Sequence, residues 1–449
     1  MKMTSLLFFI SSYLLSFVLS QPSSDNLYFV FEHFRHGARS PTNGLNPNLQ
    51  DLFGTIWEGN GELTKNGMIQ QYIIGLRNRK RYDGFMNLDY DPKEILVYST
   101  NVNRTITSAQ VQLSGMYSNV DIDISSSTLD PRQKPPFNTT FDYNKKLTFV
   151  PVPIHVYEDR VVNGENIVEK TMDYDRDINC IKYKAFREKN KENDTVKNFI
   201  SEFNKTEGSW LKSKFNISAP NTFKNVHAIC DVYIANYYEH YEQIKANFTD
   251  PEAFLKKCYA FERMKQYDVE QGGDAAVSGR LSQSGILRKI INWMELRKKQ
   301  GKENRLTTNG AMPKYVMYSS HDTTLSSMQS YFIQAGIQNQ YIYTEYASTI
   351  YLELRKYGET FYVEYYLNEE LLYNKTFEEF KNMSNSIMWT EDQVIDYCVG
   401  YTIKEKIIIV LGCAVIAFFV ITISLMCYFC RRERRKDFIK VVDSKEDIQ

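Results

Sequence analysis

The chain has 449 residues, 54 lysines and arginines against 54 aspartates and glutamates, and a hydrophobic share of 43%. This composition supports a sizeable core and excludes wholesale disorder, and the zero net charge excludes a global attraction to nucleic acid or other polyanions. Any cationic site must be local.

In chain order, the first segment is "MKMTSLLFFISSYLLSFVLSQPSS". Lys2 precedes an apolar run from Leu6 to Leu19, too short for a span, with small residues Val18 and Ser20 before Gln21. This predicts a secretory signal peptide, residues 1–20, removed in the mature protein. "NLYFVFEHF" is aromatic and β-branched and predicts a strand, which runs into "RHGARSP". Arg35, His36 and Arg39 fall together there, and such crowded cations repel unless an anion sits among them. "TKNGMIQQYIIGLRNRKRY" has helical spacing, with Thr64 as N-cap. "EILVYST" predicts a second strand and "NRTITSAQVQLSGMY" a helix that carries Arg104. "KYVMYSS" predicts a third strand, followed by a helix opened by His321 and Asp322 in "HDTTLSSMQSYF". "STIYLELRK" and "ETFYVEYYL" alternate and predict a hairpin around Tyr357 and Gly358. Strands interleaved with helices indicate an α/β domain with a mixed sheet. The long interval between the second and third strands includes a charged helical stretch from Asp177 to Asn247, and predicts an inserted, mostly helical subdomain at roughly 130–305.

Residues Ile407 to Cys430 carry no charge. As a helix they would be about 36 Å long, more than the hydrocarbon core of a bilayer. "RRERRK", Arg431 to Lys436, follows and marks the cytoplasmic side. The expected layout is a single-pass type I membrane protein: an ectodomain at 21–402, one span at 407–430 and a tail at 431–449. Sequons at Asn103, Asn138, Asn193, Asn204, Asn216, Asn247, Asn374 and Asn382 fit a secretory route. Asn103 lies beside Arg104, so its side chain is expected to be buried in the site and unmodified. Cys180, Cys230, Cys258 and Cys398 are an even lumenal set that allows three pairings; Cys413, Cys427 and Cys430 belong to the span and its inner edge.

Functional groups follow each of three strands: Arg35, His36 and Arg39 the first, Arg104 the second, His321 and Asp322 the third. Ligands of open α/β sheets bind beyond the carboxyl ends of the strands, so these residues converge on one site. Three guanidiniums suit a phosphate, because each stays charged and offers parallel donors to its oxygens. They also lower the pKa of His36 and leave a neutral imidazole able to attack phosphorus. His321 can donate to a phosphoryl oxygen, and Asp322 can protonate the leaving oxygen. His33 is expected to face the core or the subdomain, and His155, His227 and His240 lack metal-ligand spacing.

"RHGARSP" resembles the RHGxRxP signature of the histidine acid phosphatases, the acid branch of the histidine phosphatase superfamily. "SHDTTL" resembles that family's second signature, "STNVNRTITSA" its third phosphate-binding arginine segment, and "YASTIYLEL" with "GETFYVEYYLNEE" its C-terminal strands. The similarity runs with gaps from about Asn26 to Cys398, and the layout is most like that of the lysosomal and prostatic type. The resemblance implies an α/β domain with a helical cap and no metal or organic cofactor. It implies His36 as nucleophile, Arg35, Arg39, Arg104 and His321 as phosphate ligands, and Asp322 as proton donor. It also implies a Cys180–Cys398 disulfide, which leaves Cys230 to pair with Cys258. The chain departs from the family in having no cysteine between His321 and Cys398. Its tail also shows no tyrosine-based or dileucine sorting signal, so a lysosomal or vacuolar membrane and the cell surface both stay open. The implied activity is hydrolysis of small phosphomonoesters or phosphoproteins; the resemblance also allows a homodimer. A catalytically silent binding protein on the same fold is the alternative, disfavoured because all six site residues are retained. A phosphomutase is a third reading, disfavoured by the secretory layout.

Overall fold

The computed structural model describes residues 24–42, 57, 59–118, 122–123, 146–147, 150–156, 159–162, 165–168, 180–216, 221–302, 306–307, 310–399 and 403–446. The signal peptide and the sequon at Asn138 lie outside the described residues. Two compact units are present, Met1–Asn179 with Tyr183–Thr390 and Cys180–Lys182 with Glu391–Gln449.

The first unit is built on a seven-stranded mixed sheet. Its elements in chain order are β1 (Leu27–Arg35), α1 (Lys65–Arg81), β2 (Ile95–Ser99), α2 (Asn103–Met116), β3 (Ile154–Val156), α3 (Asp194–Phe215), α4 (Phe223–Glu239), α5 (Pro251–Met264), α6 (Val277–Gln300), β4 (Tyr315–Ser320), α7 (Asp322–Gln334), β5 (Thr349–Tyr357), β6 (Thr360–Leu367), β7 (Glu370–Thr376) and α8 (Phe377–Ile387). The strand order is β7-β6-β5-β1-β4-β2-β3. β1, β4, β2 and β3 are mutually parallel, whereas β5, β6 and β7 add antiparallel. The predicted hairpin is the β5–β6 pair, with Tyr357 opposite Thr360.

β1 is central and almost wholly buried, which explains its near-continuous apolar run. One face carries Phe29 and Phe31 against Ile286, Leu287 and Ile290 of α6 and Leu325 and Met328 of α7. The other carries Val30 and Phe34 with Ala109 and Leu113 of α2. Two of the buried polar residues of β1, Glu32 and His33, each find a partner inside the fold. Glu32 accepts from Asn78, Gln112 and Tyr315. His33 is fully buried in the core and meets the Ser320 hydroxyl at 2.7 Å.

Between β3 and α6 the described residues are mostly helical and enclose their own core. Phe203, Val226, Tyr233, Phe254 and Phe261 pack together there, and Ala38 and Tyr346 join the same cluster. This cap is therefore packed onto the loops that leave the sheet. A disulfide ties α4 to α5 through Cys230 and Cys258.

In the second unit, Cys180 is bonded to Cys398. A long helix, α9 (Ile403–Glu446), contains an apolar, exposed segment from Ile407 to Glu433 that is long enough to cross a membrane. The helix continues through the basic residues after Cys430.

Candidate active site

The parallel register sets the site. Arg35 at the end of β1 lies opposite Ser320 at the end of β4, and Ser319 lies opposite Ser99 at the end of β2. All three strands stop at one level, and the residues that follow them meet. α1 clamps the first loop from below: the Thr64 hydroxyl accepts from Gly67 N and donates to Ala38 O, and Gln71 donates to Arg35 O at 3.0 Å. The glycine of RHG follows from this contact. A Cβ on Gly37 would stand 2.3 Å from Gly67 O, and a Cβ on Gly67 would stand 2.1 Å from Ala38 O.

His36 is buried, and its Nδ1 lies 2.8 Å from Gly37 O. A carbonyl oxygen can only accept, so Nδ1 carries the proton and Nε2 keeps its lone pair. Burial holds the imidazole well below its ordinary pKa, and Arg104, Arg35, His321 and Arg39 push in the same direction. The site therefore contains a neutral histidine with a free Nε2 among cations.

Arg35 and Arg39 are both buried. Arg35 donates to Thr344 O at 2.8 Å and pairs with Asp322 at 3.0 Å. Its guanidinium lies 4.3 Å from the centre of the Tyr346 ring, within cation–π range. Arg39 donates to Ser40 O at 3.0 Å and to Asp231 at 2.8 Å. Among the described residues, Arg35 Nε and Arg39 Nε have no hydrogen-bond partner. Buried donors normally find one, so their orphaned state suits an anion-binding cage.

Arg104 comes from the first turn of α2. Its Nη2 lies 3.2 Å from His321 Nδ1, and Thr100 Oγ1 lies 3.1 Å from His321 Nε2. Arginine only donates, so Nδ1 accepts and Nε2–H points to Thr100. The His36 and His321 rings are 5.5 Å apart. Asp322 is the first residue of α7, where the helix terminus favours a negative charge. Burial raises its carboxyl pKa, but Arg35, then Lys265, His36 and Arg39 pull harder and hold it far below the usual range.

All six sequence-predicted site residues thus meet in one place, and three further contributors were not anticipated. Asp231, on α4, orients Arg39 and accepts from both the backbone and hydroxyl of Thr42. Its only sequence signal is an aspartate in the otherwise apolar face of "AICDVYIANYYE". Tyr346 supplies the ring under Arg35, and Lys265, just past α5, adds a half-buried cation paired with Glu262 at 2.5 Å. One expectation is corrected. Asn103 is exposed, and its amide donates to Glu62 at 3.2 Å. Adjacent helical residues point about 100° apart, so Arg104 turns inward while Asn103 faces out.

Residues 27–368 match the model of the histidine phosphatase superfamily, branch 2. The chain belongs to this family. Membership places it among the phosphoric monoester hydrolases. It is 25% identical over 441 residues to the lysosomal acid phosphatase of Xenopus laevis, covering 94% of this chain and 91% of that protein. It is 27% identical over 372 residues to the prostatic acid phosphatase of Mus musculus, covering 79% and 82%. Among solved structures, the phytase of Citrobacter braakii superposes with TM-score 0.52 at 13% identity, over 81% of this chain and 98% of that one. This superposition shows a shared histidine phosphatase fold.

Proposed function

We propose that the protein is a membrane-anchored acid phosphatase that cleaves phosphate monoesters through a phosphohistidine at His36. The observation that carries this reading is the Nδ1–H···O bond to Gly37, which leaves Nε2 as a lone pair inside the arginine cage. Arg35, Arg39 and Arg104 hold the phosphoryl oxygens, with Arg104 turning from His321 to the anion. His321 donates a ring N–H to a further oxygen. Nε2 attacks phosphorus, the P–O ester bond breaks, and Asp322 gives its proton to the leaving oxygen. Water then attacks the phosphohistidine while the Asp322 carboxylate accepts its proton, and inorganic phosphate leaves. The charge gathered on the equatorial oxygens is met by donors already in place. No metal or organic cofactor is required by these steps.

Asp322 is ionised in the empty site, so it must gain a proton as substrate binds. The charge of the phosphate offsets Arg35 and raises the carboxyl, and this favours turnover at acid pH. The membrane reading rests on the exposed apolar segment Ile407–Glu433, with residues 431–436 cytosolic and the catalytic unit lumenal or extracellular. A lysosomal or vacuolar membrane and the cell surface both satisfy this topology.

The test is alkali-quenched labelling of the full-length protein with a ³²P-labelled monoester. The label should be alkali-stable and acid-labile, map to His36, and vanish in His36→Ala. Turnover without a trapped phosphoenzyme, or full activity of His36→Ala, overturns the mechanism.

A further inference from the structure

The loop Tyr341–Ser348 is fastened to the nucleophile segment. Ala347 N donates to His36 O at 3.1 Å, Arg35 N donates to Ser348 O at 2.9 Å, and Arg35 Nη1 reaches Thr344 O. Ala347 holds φ at 61°, a left-handed conformation uncommon for alanine, and Ser348 N closes a turn on Glu345 O. Glu345 therefore sits between two residues that both touch Arg35, Thr344 through its carbonyl and Tyr346 through its ring. Its own side chain is exposed and reaches toward the cap, where it accepts from the hydroxyls of Tyr238 at 2.9 Å and Tyr259 at 3.3 Å.

An aromatic wall stands around this carboxylate. Tyr238 meets Tyr346 edge-on at 5.1 Å, and Tyr259 meets Tyr343 at 4.9 Å. Burial raises the pKa of the Tyr343 hydroxyl, and the positive charge of the nearby Arg35 opposes that rise. Tyr238, Tyr259 and Tyr343 are half-buried, with part of each ring open to solvent. The carboxylate has neutral hydroxyls as these partners, so they do not cancel its charge. Lys265, the nearby cation of the cap, is paired with Glu262. A second carboxylate, Glu62, lies on the α2 side, where Asn103 donates to it. The phosphate cage is thus strongly cationic while its rim carries carboxylates and tyrosines.

We propose that Glu345 and the tyrosines around it form a leaving-group subsite that admits aromatic groups without negative charge and repels leaving groups that bear further phosphates. This rests on the phosphatase reading above. The ring of an aryl ester lies against Tyr259 and Tyr343, and a second phosphate on the leaving group meets Glu345 where a lysine would be needed to hold it.

The test uses detergent-solubilised full-length protein and kcat/KM for phenyl phosphate, methyl phosphate and myo-inositol hexakisphosphate, with thermal unfolding of each variant as a check on folding. Glu345→Lys should raise the ratio of inositol hexakisphosphate to phenyl phosphate about tenfold. Glu359→Lys, a charge change on the distant, exposed β5–β6 turn, should move it less than about twofold because of screening. A Glu345→Lys ratio no larger than that control overturns the charge filter. Tyr259→Leu should lower phenyl phosphate relative to methyl phosphate about fivefold, since the leaving-group difference itself cancels in the comparison. Equal losses on the two esters overturn the aromatic wall. A wild-type protein inactive on every ester overturns the phosphatase reading and the subsite with it, whereas an active wild type with unmoved ratios overturns the subsite alone.

Discussion

Two buried arginine–carboxylate clusters lie toward opposite ends of β1, and they use their donors differently. Near the start of the strand, Arg81 gives Nε and Nη2 to one oxygen of Glu353, at 3.0 and 2.8 Å. Arg355 gives Nε and Nη2 to the other oxygen, and its Nη1 reaches Asn26 at 2.8 Å. Near the end of the strand, Arg35 and Arg39 each give one nitrogen to a carboxylate and one to a carbonyl, and each keeps a buried Nε without a partner among the described residues. The first arrangement is closed and spends its donors on holding the sheet. The second is held open toward a ligand. Burial and charge alone do not separate structure from function here; the fate of the spare donors does.

The largest effect that would sharpen this contrast comes from the nucleophile. His36→Ala should lose about 10⁴-fold or more in kcat while its unfolding temperature stays near that of the wild type. A residual rate within tenfold of wild type would mean that the open cluster is not organised around His36.

The two clusters can then be compared directly. Arg39→Met should cost about 10²–10³ in kcat/KM through the lost phosphate ligand. Arg81→Met should instead cost about 3 kcal/mol of stability, because Glu353 loses one of its two guanidiniums while buried, and the folded fraction should stay active. Urea unfolding and initial rates on the same preparations decide this. Comparable activity losses in both variants, at full folding, would break the distinction.

Asp322 is predicted to act on the leaving group. Asp322→Asn should slow phosphoenzyme formation from alkyl phosphates about 10²-fold or more, and from p-nitrophenyl phosphate much less, since p-nitrophenolate departs without a proton. The stability consequence has the opposite pH preference. The folded carboxyl titrates below its unfolded value of about 3.9, so its ionised form stabilises the empty protein above about pH 4, and that contribution is lost as pH falls below it. Activity needs the protonated form and stability the ionised one. Stability of Asp322→Asn should accordingly depend less on pH below about pH 4, as read from urea midpoints.

The smallest predicted effect concerns His33, the other histidine of the "EHFRH" run. Burial alone lowers its pKa to about 3. The unfolded chain, with a value near 6.5, binds the proton first, so folding stability drains as pH falls from about 6.5 toward about 3. His33→Gln should reduce the fall in melting temperature between pH 7 and pH 4 by a few degrees. An unchanged pH dependence would show that the core histidine does not limit acid stability.

Much of this site was legible because its parts obey local rules. Strand patterning located β1, β2 and β4, and the residues just past each strand end were therefore predictable as neighbours. Thr64 was readable as a cap because its hydroxyl acts on an amide three residues ahead. Asp231, Tyr346 and Lys265 were not legible. Helical periodicity says which face of α4 or α5 is buried, but not which loop it is buried against. Asn103 departs from expectation for a related reason: it adjoins Arg104 in sequence, but the helix turns the two side chains apart.

The sequence by itself determined the phosphate chemistry of this protein. Arginine stays charged in any surroundings, a neutral imidazole is a competent nucleophile near neutral pH, and their positions at strand ends follow from a two-residue period and a parallel sheet. Only the tertiary structure decided how those groups are tuned and what stands opposite them. The proton on His36 Nδ1 is assigned by the Gly37 carbonyl, Arg39 is aimed by a carboxylate from the cap, and Glu345 is set at the rim by a loop fastened to the backbone of His36. Those contacts join residues far apart in the chain, and their energies depend on distances that exist only once the cap has packed onto the sheet.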